Sequence, residues 1–323
     1  MTLANKPRYA GRLNAFKLGL VRPTVAELLA RVATVKGLDA ADLNYPDHFV
    51  DHKPADLARV MADHGLALNG LAMRYYTDPG FRLGAFSNPD REVRRAAVDI
   101  TRRGLDALAE MGGQVMTLWM GQDGVDYSFQ GDYGRMWQDT LDCLAQVCDH
   151  NPGLDLALEY KPSEPRAFSL MPDIATNLLA LRDLGRVNTG ITLDFCHVLF
   201  AGEMPAQSAQ LAGRYSRILG VHLNDGYGKR DDGLMVGSVH PVQTLELFVE
   251  LDHQGFDGVI YFDTFPDHGG LDPVAEAGVN VMMADRLRAI ARGLHGDPDL
   301  AAAMGRQDAA ATLRLVAGRL YQA

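Results

Sequence analysis

Four apolar segments beyond residue 150 each run into residues able to bind a cation or move a proton. LALEYKP carries Glu159 and Lys161; ITLDFCH carries Asp194 and His197. GVHLNDGYGKRDD carries His222, Asn224 and Asp225, then Asp231 and Asp232, and IYFDTFP carries Asp263. A charge that ends a buried strand costs desolvation free energy unless it is paired or bound to metal. Glu159, Asp194, His222 and Asp263 include three acids, which repel one another if they share a rim. A divalent cation turns that repulsion into binding. Carboxylate-rich oxygen and nitrogen sets suit Mg²⁺, Mn²⁺ or Co²⁺, and imidazoles extend the choice to Zn²⁺. One acid at a strand end is most simply a helix N-cap or an ion-pair partner; three acids and an imidazole at matching positions argue for a shared site. His197, three residues past Asp194, is either a satisfied loop histidine or part of a second shell or second metal at the same mouth.

The elements that would bring these residues together form a regular alternation. Asn14–Leu20, Asp42–Tyr45, Leu66–Met73, Gln114–Trp119, Leu154–Glu159, Thr189–Asp194, Ile218–Leu223 and Val259–Asp263 read as buried strands, because their apolar runs are nearly unbroken. Helical spacing fills Thr24–Lys36, Pro54–His64, Arg91–Met111, Gly134–His150, Asp173–Leu184, Gln207–Tyr215, Val242–Gln254 and Val274–Leu294. Gly or Pro punctuates many of the returns, as at Lys36-Gly37, His64-Gly65 and Gln254-Gly255. Eight β-then-α units predict an α/β chain folded as a single (β/α)8 TIM barrel over about 14–294, in one domain spanning 1–323. Residues 296–323 predict a helical extension packed on the barrel or on another subunit. An open doubly wound sheet would show a Gly-rich phosphate loop after its first strand; here that strand runs into Val21-Arg22-Pro23. Barrel enzymes place their chemistry at the C-terminal ends of the strands, where the four groups fall.

Composition narrows the function further. The 323 residues are 47% hydrophobic and 22% charged, ample for a large core. A net charge of −10 disfavours general binding to nucleic acid. No run of about 18 apolar residues predicts a membrane span. The N-terminal MTLANKPRYAGRLNAF lacks the apolar stretch of a secretory signal. Cys143, Cys148 and Cys196 make no disulfide framework, so a reducing cytoplasm is expected. No nucleophile triad surrounds Cys196, which reads as a ligand or a small filler.

The segments EYKP, DFCH, HLND…DD…VGS and DTFP resemble the xylose isomerase-like TIM-barrel superfamily, and within it bacterial L-rhamnose isomerase-type aldose–ketose isomerases. The resemblance implies a first-metal set of Glu159, Asp194, His222 and Asp263. It implies a second set of His197 and Asp231, with Asp194 able to bridge. The loop after His222 is one residue longer than the family pattern, so Asp231 and Asp232 both remain candidates. Lys161 resembles the lysine that contacts the sugar carbonyl oxygen, which makes Lys161, Glu159 and Asp263 the expected catalytic residues. Two divalent ions, a small-molecule sugar and a homo-oligomer are the implied cofactors and partners. Trp119 offers a flat indole to the apolar face of a sugar, unless it is barrel core. Gln122, Asp123 and Tyr127 follow it. Gln122, His48 and Asp225 are expected to reach hydroxyls; Asn44, Tyr45, Arg74, Tyr75 and Tyr76 are weaker candidates. The implied activity is C1–C2 hydrogen transfer, as a hydride or through an enediol. The rival is C3 epimerisation of a ketose, with Glu159 and Asp263 as base and acid. Related epimerases usually end strand 8 in Glu, where this chain has Asp263. DNA-repair endonucleases on this barrel need more histidines and a basic groove. A sugar-binding barrel without activity has no use for Lys161 beside a full ligand set.

Overall fold

The computed structural model describes residues 8–321. Its strands are β1 (Tyr9–Arg12), β2 (Ala40–Tyr45), β3 (Ala67–Met73), β4 (Val115–Trp119), β5 (Asp155–Glu159), β6 (Thr189–Asp194), β7 (Ile218–Leu223) and β8 (Ile260–Phe262). Each pairs in parallel with the next, and β8 closes onto β1. The result is a closed eight-stranded (β/α)8 barrel of the α/β class. Seven of the expected strands hold within a few residues. The crossovers are α1 (Val25–Val32), α2 (Pro54–Asp63), α3 (Arg91–Glu110), α4 (Tyr133–Cys148), α5 (Ile174–Leu184), α6 (Pro205–Tyr215), α7 (Pro241–His253) and α8 (Pro273–Leu294).

The first strand requires a correction. Asn14–Leu20 is not a strand; Leu13–Lys17 is a 3₁₀ turn and β1 lies upstream in YAGR. Leu13 and Phe16 are buried three residues apart, the spacing of a 3₁₀ face rather than of a strand. Ala10 and Gly11 gain partners on both sides, with Gly11 facing Phe262 and Ala41. A four-residue strand containing glycine carries little apolar signal of its own.

Local chemistry sets the helix starts. Thr24 and Glu27 form a reciprocal capping box on α1, and the carboxylates of Asp90, Asp132, Asp173 and Asp272 accept from the first-turn N–H groups of α3, α4, α5 and α8. Two further features sit on the β-strand C-terminal rim. Gly124–Val125 pairs antiparallel with Phe168–Ser169 and ties the β4 and β5 loops together, and a short helix, Phe195–Phe200, follows β6 directly. The C-terminal extension is two helices, α9 (Pro298–Gly305) and α10 (Ala309–Leu320). Among the described residues no helix is long and apolar enough to cross a membrane.

Candidate metal centre and substrate cavity

Strand register assembles the site. Asp194 is opposite His222 across β6 and β7, and Trp119 is opposite Glu159 across β4 and β5. Asp263 follows β8 directly. Glu159, Asp194, His222 and Asp263 each offer a ligand atom, and these atoms all lie within 4.8 Å of one another. Glu159, Asp194 and His222 are buried, and Asp263 is half-buried. Glu159, His222 and Asp263 border a cavity of about 270 Å³ whose lining also includes Arg12, Asp42, Arg74, Tyr76, Trp119, His197 and Asp231, and Asp194 lies buried behind them. A larger hollow of about 660 Å³, near Arg217 and Gly258, lies at the opposite rim, where the strands begin. It contains no comparable cluster.

Contacts hold the donor set in place. His222 Nδ1 is 3.3 Å from Glu159 Oε1. Asp194 is also the N-cap of the helix after β6: its Oδ1 accepts from the His197 N–H at 2.9 Å. The simple N-cap reading of a strand-end acid is therefore true of Asp194, and Oδ2 still faces the cluster. Asn224 Nδ2 spans Asp194 and the carbonyl of Asp263, while its Oδ1 accepts from the Cys196 N–H at 2.8 Å. Arg12 Nε approaches Asp263 Oδ1 at 3.3 Å, because Gly11 and Phe262 are register partners one residue earlier.

The second pair adjoins this set. His197 Nε2 is 3.2 Å from Asp231 Oδ2, and Nδ1 is 3.4 Å from Glu159 Oε1 without hydrogen-bond geometry. His197 Nδ1 and Asp231 Oδ1 are buried with no hydrogen-bond partner. Lys161 Nζ lies 3.1 Å from Asp231 Oδ2 and 3.0 Å from Glu164 Oε2. Asp232 turns the other way: it accepts from the Tyr227 N–H and pairs with Arg230. Of the two adjacent acids, only Asp231 faces the cavity.

The electrostatics express crowding of like charge. Burial, with Asp231 and Glu159 nearby, pushes the Asp194 carboxyl up to about 7, despite the lowering influence of His197. Burial raises Asp263 too, against the pull of Arg12. Burial opposes charge on the imidazoles, yet carboxylates raise His197 to about 10 through Asp194 and Asp231, and His222 to about 9 through Glu159. Lys161 is likewise raised: burial opposes its charge and Asp231 and Glu164 restore it. A set of buried acids that holds protons on both neighbouring imidazoles is built for positive charge. Oxygen and imidazole donors, together with two unpartnered buried ligand atoms, fit one or more divalent cations.

Other expected residues fall elsewhere. His48 is turned into its own loop, accepting from the Asn44 N–H at Nδ1 and lying 3.1 Å from Asn14 Oδ1 at Nε2; burial lowers it to about 3 and keeps it neutral. Asp225 is fully buried and takes up the N–H groups of Gly226, Val239 and His240 and the His240 ring. Gln122 is half-buried outside the lining. His48 and Asp225 are thus bonded within their own loops, and neither they nor Gln122 line the 270 Å³ cavity. Asp123 accepts from Ala85 and Ser87, Tyr75 bonds Thr101, and Tyr127 is exposed. Cys196 is a buried filler beneath the β7 loop, donating to the Arg230 carbonyl. Sequence reading missed Arg12 and Asp42. Placing β1 correctly would have exposed Arg12 at a strand end. Asp42, raised to about 7 by burial, was visible as an acid inside the apolar run AADLNY.

Comparison with known proteins places this geometry. A xylose isomerase from Thermus thermophilus is 26% identical over 245 residues, 74% of this chain; the chain spans 63% of that relative's length. A solved L-ribulose 3-epimerase shares the fold at a TM-score of 0.71 and 19% identity, covering 90% of this chain and 97% of its own. The IOLI protein, solved with a bound zinc atom, aligns at a TM-score of 0.64 and 16% identity, covering 89% of this chain and 99% of its own. The description "Xylose isomerase-like TIM barrel" fits residues 29–285, and the chain belongs to that family.

Proposed function

We propose that the chain is a divalent-metal-dependent aldose–ketose isomerase that moves hydrogen between C1 and C2 of an unphosphorylated sugar. The carrying observation is the adjacency of two donor sets at one cavity: the cluster of Glu159, Asp194, His222 and Asp263, of which all but the buried Asp194 line it, with His197 and Asp231 beside them. Adjacent cation sites suit a substrate held through neighbouring oxygens. A bound divalent metal supplies a Lewis acid that polarises a carbonyl. Lys161 stays protonated and donates to the sugar oxygen on which negative charge grows. Glu159 and Asp263 hold or receive the proton of the reacting hydroxyl, and Trp119 presents its ring to the sugar's C–H face. The likeness to a xylose isomerase supports this reading. It treats the barrel and its C-terminal helices as one domain. It also takes the enzyme as a cytoplasmic homo-oligomer, and three buried free cysteines suit that compartment.

A second reading, ketose 3-epimerase, is favoured by the Glu159 and Asp263 carboxylates meeting in one cavity from separate strands, and by the likeness to L-ribulose 3-epimerase. Incubating an aldose and its ketose separately and identifying products by NMR decides. One equilibrium ratio reached from both directions supports the isomerase. A C3 epimer formed with no aldose overturns it in favour of the second reading.

A further inference from the structure

One wall of the cavity carries Arg74, Tyr76 and Trp119, and Lys161 flanks Trp119 in the adjoining crevice, so two rings lie between two cations. Lys161 Nζ lies 5.1 Å from the Trp119 ring centre. Tyr76 meets Trp119 edge-on, with centroids 5.1 Å apart. The Arg74 guanidinium lies 5.3 Å from the Tyr76 ring centre and donates to the Tyr76 hydroxyl. The two cations differ. Lys161 is neutralised by Asp231 and Glu164. Arg74 makes no ion pair of 4.0 Å or less with a described residue, and its Nε is buried without a hydrogen-bond partner. Arg12, the other guanidinium in the lining, is committed to Asp263 and Asp267.

A guanidinium presents five N–H donors in a planar fork, and stacking on an aromatic ring fixes that plane. The Arg74 N–H donates to the Tyr45 carbonyl at 2.9 Å, which anchors the residue just past β3. A sugar lying along Trp119 and Tyr76, with C1 and C2 at the carboxylate end, brings its remote oxygens toward Arg74.

We propose that Arg74 determines specificity by reading the end of the sugar remote from C1 and C2, donating its fork to two oxygen acceptors there. Vicinal hydroxyls or a terminal carboxylate provide such a pair. The inference rests on the sugar-converting reading above.

The test compares the metal-loaded wild type with Arg74→Met and Arg74→Lys on an aldotetrose, an aldopentose, an aldohexose, a 6-deoxyhexose and a hexuronic acid. A hydrogen bond to a charged group is worth enough that Arg74→Met should raise the hexose KM about ten- to a hundredfold while kcat moves far less. The loss should shrink as the sugar shortens, so the hexose-over-tetrose ratio of kcat/KM falls, and Arg74→Lys should recover part of it. A wild-type preference for the hexuronic acid that disappears in Arg74→Met assigns the acceptors to a carboxylate. A preference for neutral hexose that disappears assigns them to hydroxyls. An equal fall in kcat/KM for tetrose and hexose overturns the inference. Failure of the wild type to convert any sugar overturns the functional reading instead. Arg74 is then judged by sugar-induced thermal stabilisation, and equal shifts in wild type and Arg74→Met overturn its role.

Discussion

Lys161 owes its place to charge rather than bulk: its ammonium is buried between Asp231, Glu164 and the Trp119 ring. Lys161→Met keeps the stem and deletes the charge. If the ammonium stabilises the transition state, kcat should fall about 10²–10³-fold with metal content unchanged. Steady-state rates beside elemental analysis check this, and an unchanged kcat reduces Lys161 to an ion pair. The two donor sets should also separate at this scale. His222→Ala removes a member of the four-residue cluster, whereas His197→Ala touches only the adjoining pair. Metal-to-protein ratios should fall in both, and His197→Ala should retain one tightly held ion; two ions kept in both variants would refute the assignment. Residue types and their strand-end positions were legible in the sequence. The choice between Asp231 and Asp232 was not, because neighbouring residues in a loop diverge according to the contacts the loop makes.

At the scale of elements, the segment between β7 and α7 shows how hydrogen bonds close a loop around the acid it carries. Asp225 and Leu234 exchange backbone hydrogen bonds at 2.9 and 2.8 Å. The Asp225 carboxylate draws in Val239 and His240 at 2.8 Å, closing the segment that carries Asp231. Asp225→Ala leaves those part-buried N–H groups unpaired, and it should lower unfolding free energy by about 1–3 kcal/mol. Denaturant unfolding reads that loss, and the second ion should be released before the first in a chelator titration. Wild-type stability together with two firmly held ions would exclude a clamping role. The strand-end position drew attention to Asp225, and in the fold its buried carboxylate anchors the loop. β1 carries the same lesson: its partners, β2 and β8, are about 30 and 250 residues away in sequence, and local apolarity could not find them.

Across the whole molecule, a metal that binds only the folded chain stabilises all of it. Ligand at a hundredfold excess over its dissociation constant adds about 2.7 kcal/mol. EDTA-treated protein should therefore melt at lower temperature and lose turnover, and Mn²⁺ or Co²⁺ should restore both. Calorimetry and activity on the same samples check this. Full turnover in metal-stripped protein would remove the basis of the proposed chemistry.

Legible in the sequence alone were the (β/α)8 alternation, seven of the eight strands and the four strand-end residues that gather in one cluster. These follow from hydrophobic period and from the cost of ending a buried strand in charge, both local properties. Closure of the barrel decided the rest. It put Arg12 against Asp263, left Arg74 with no ion pair to a described residue at the far end of the Trp119–Tyr76 wall, and kept His48, Gln122 and Asp225 out of the cavity lining. Those outcomes depend on register between strands and on which loop carbonyls and N–H groups need partners, and both are set only when distant segments meet.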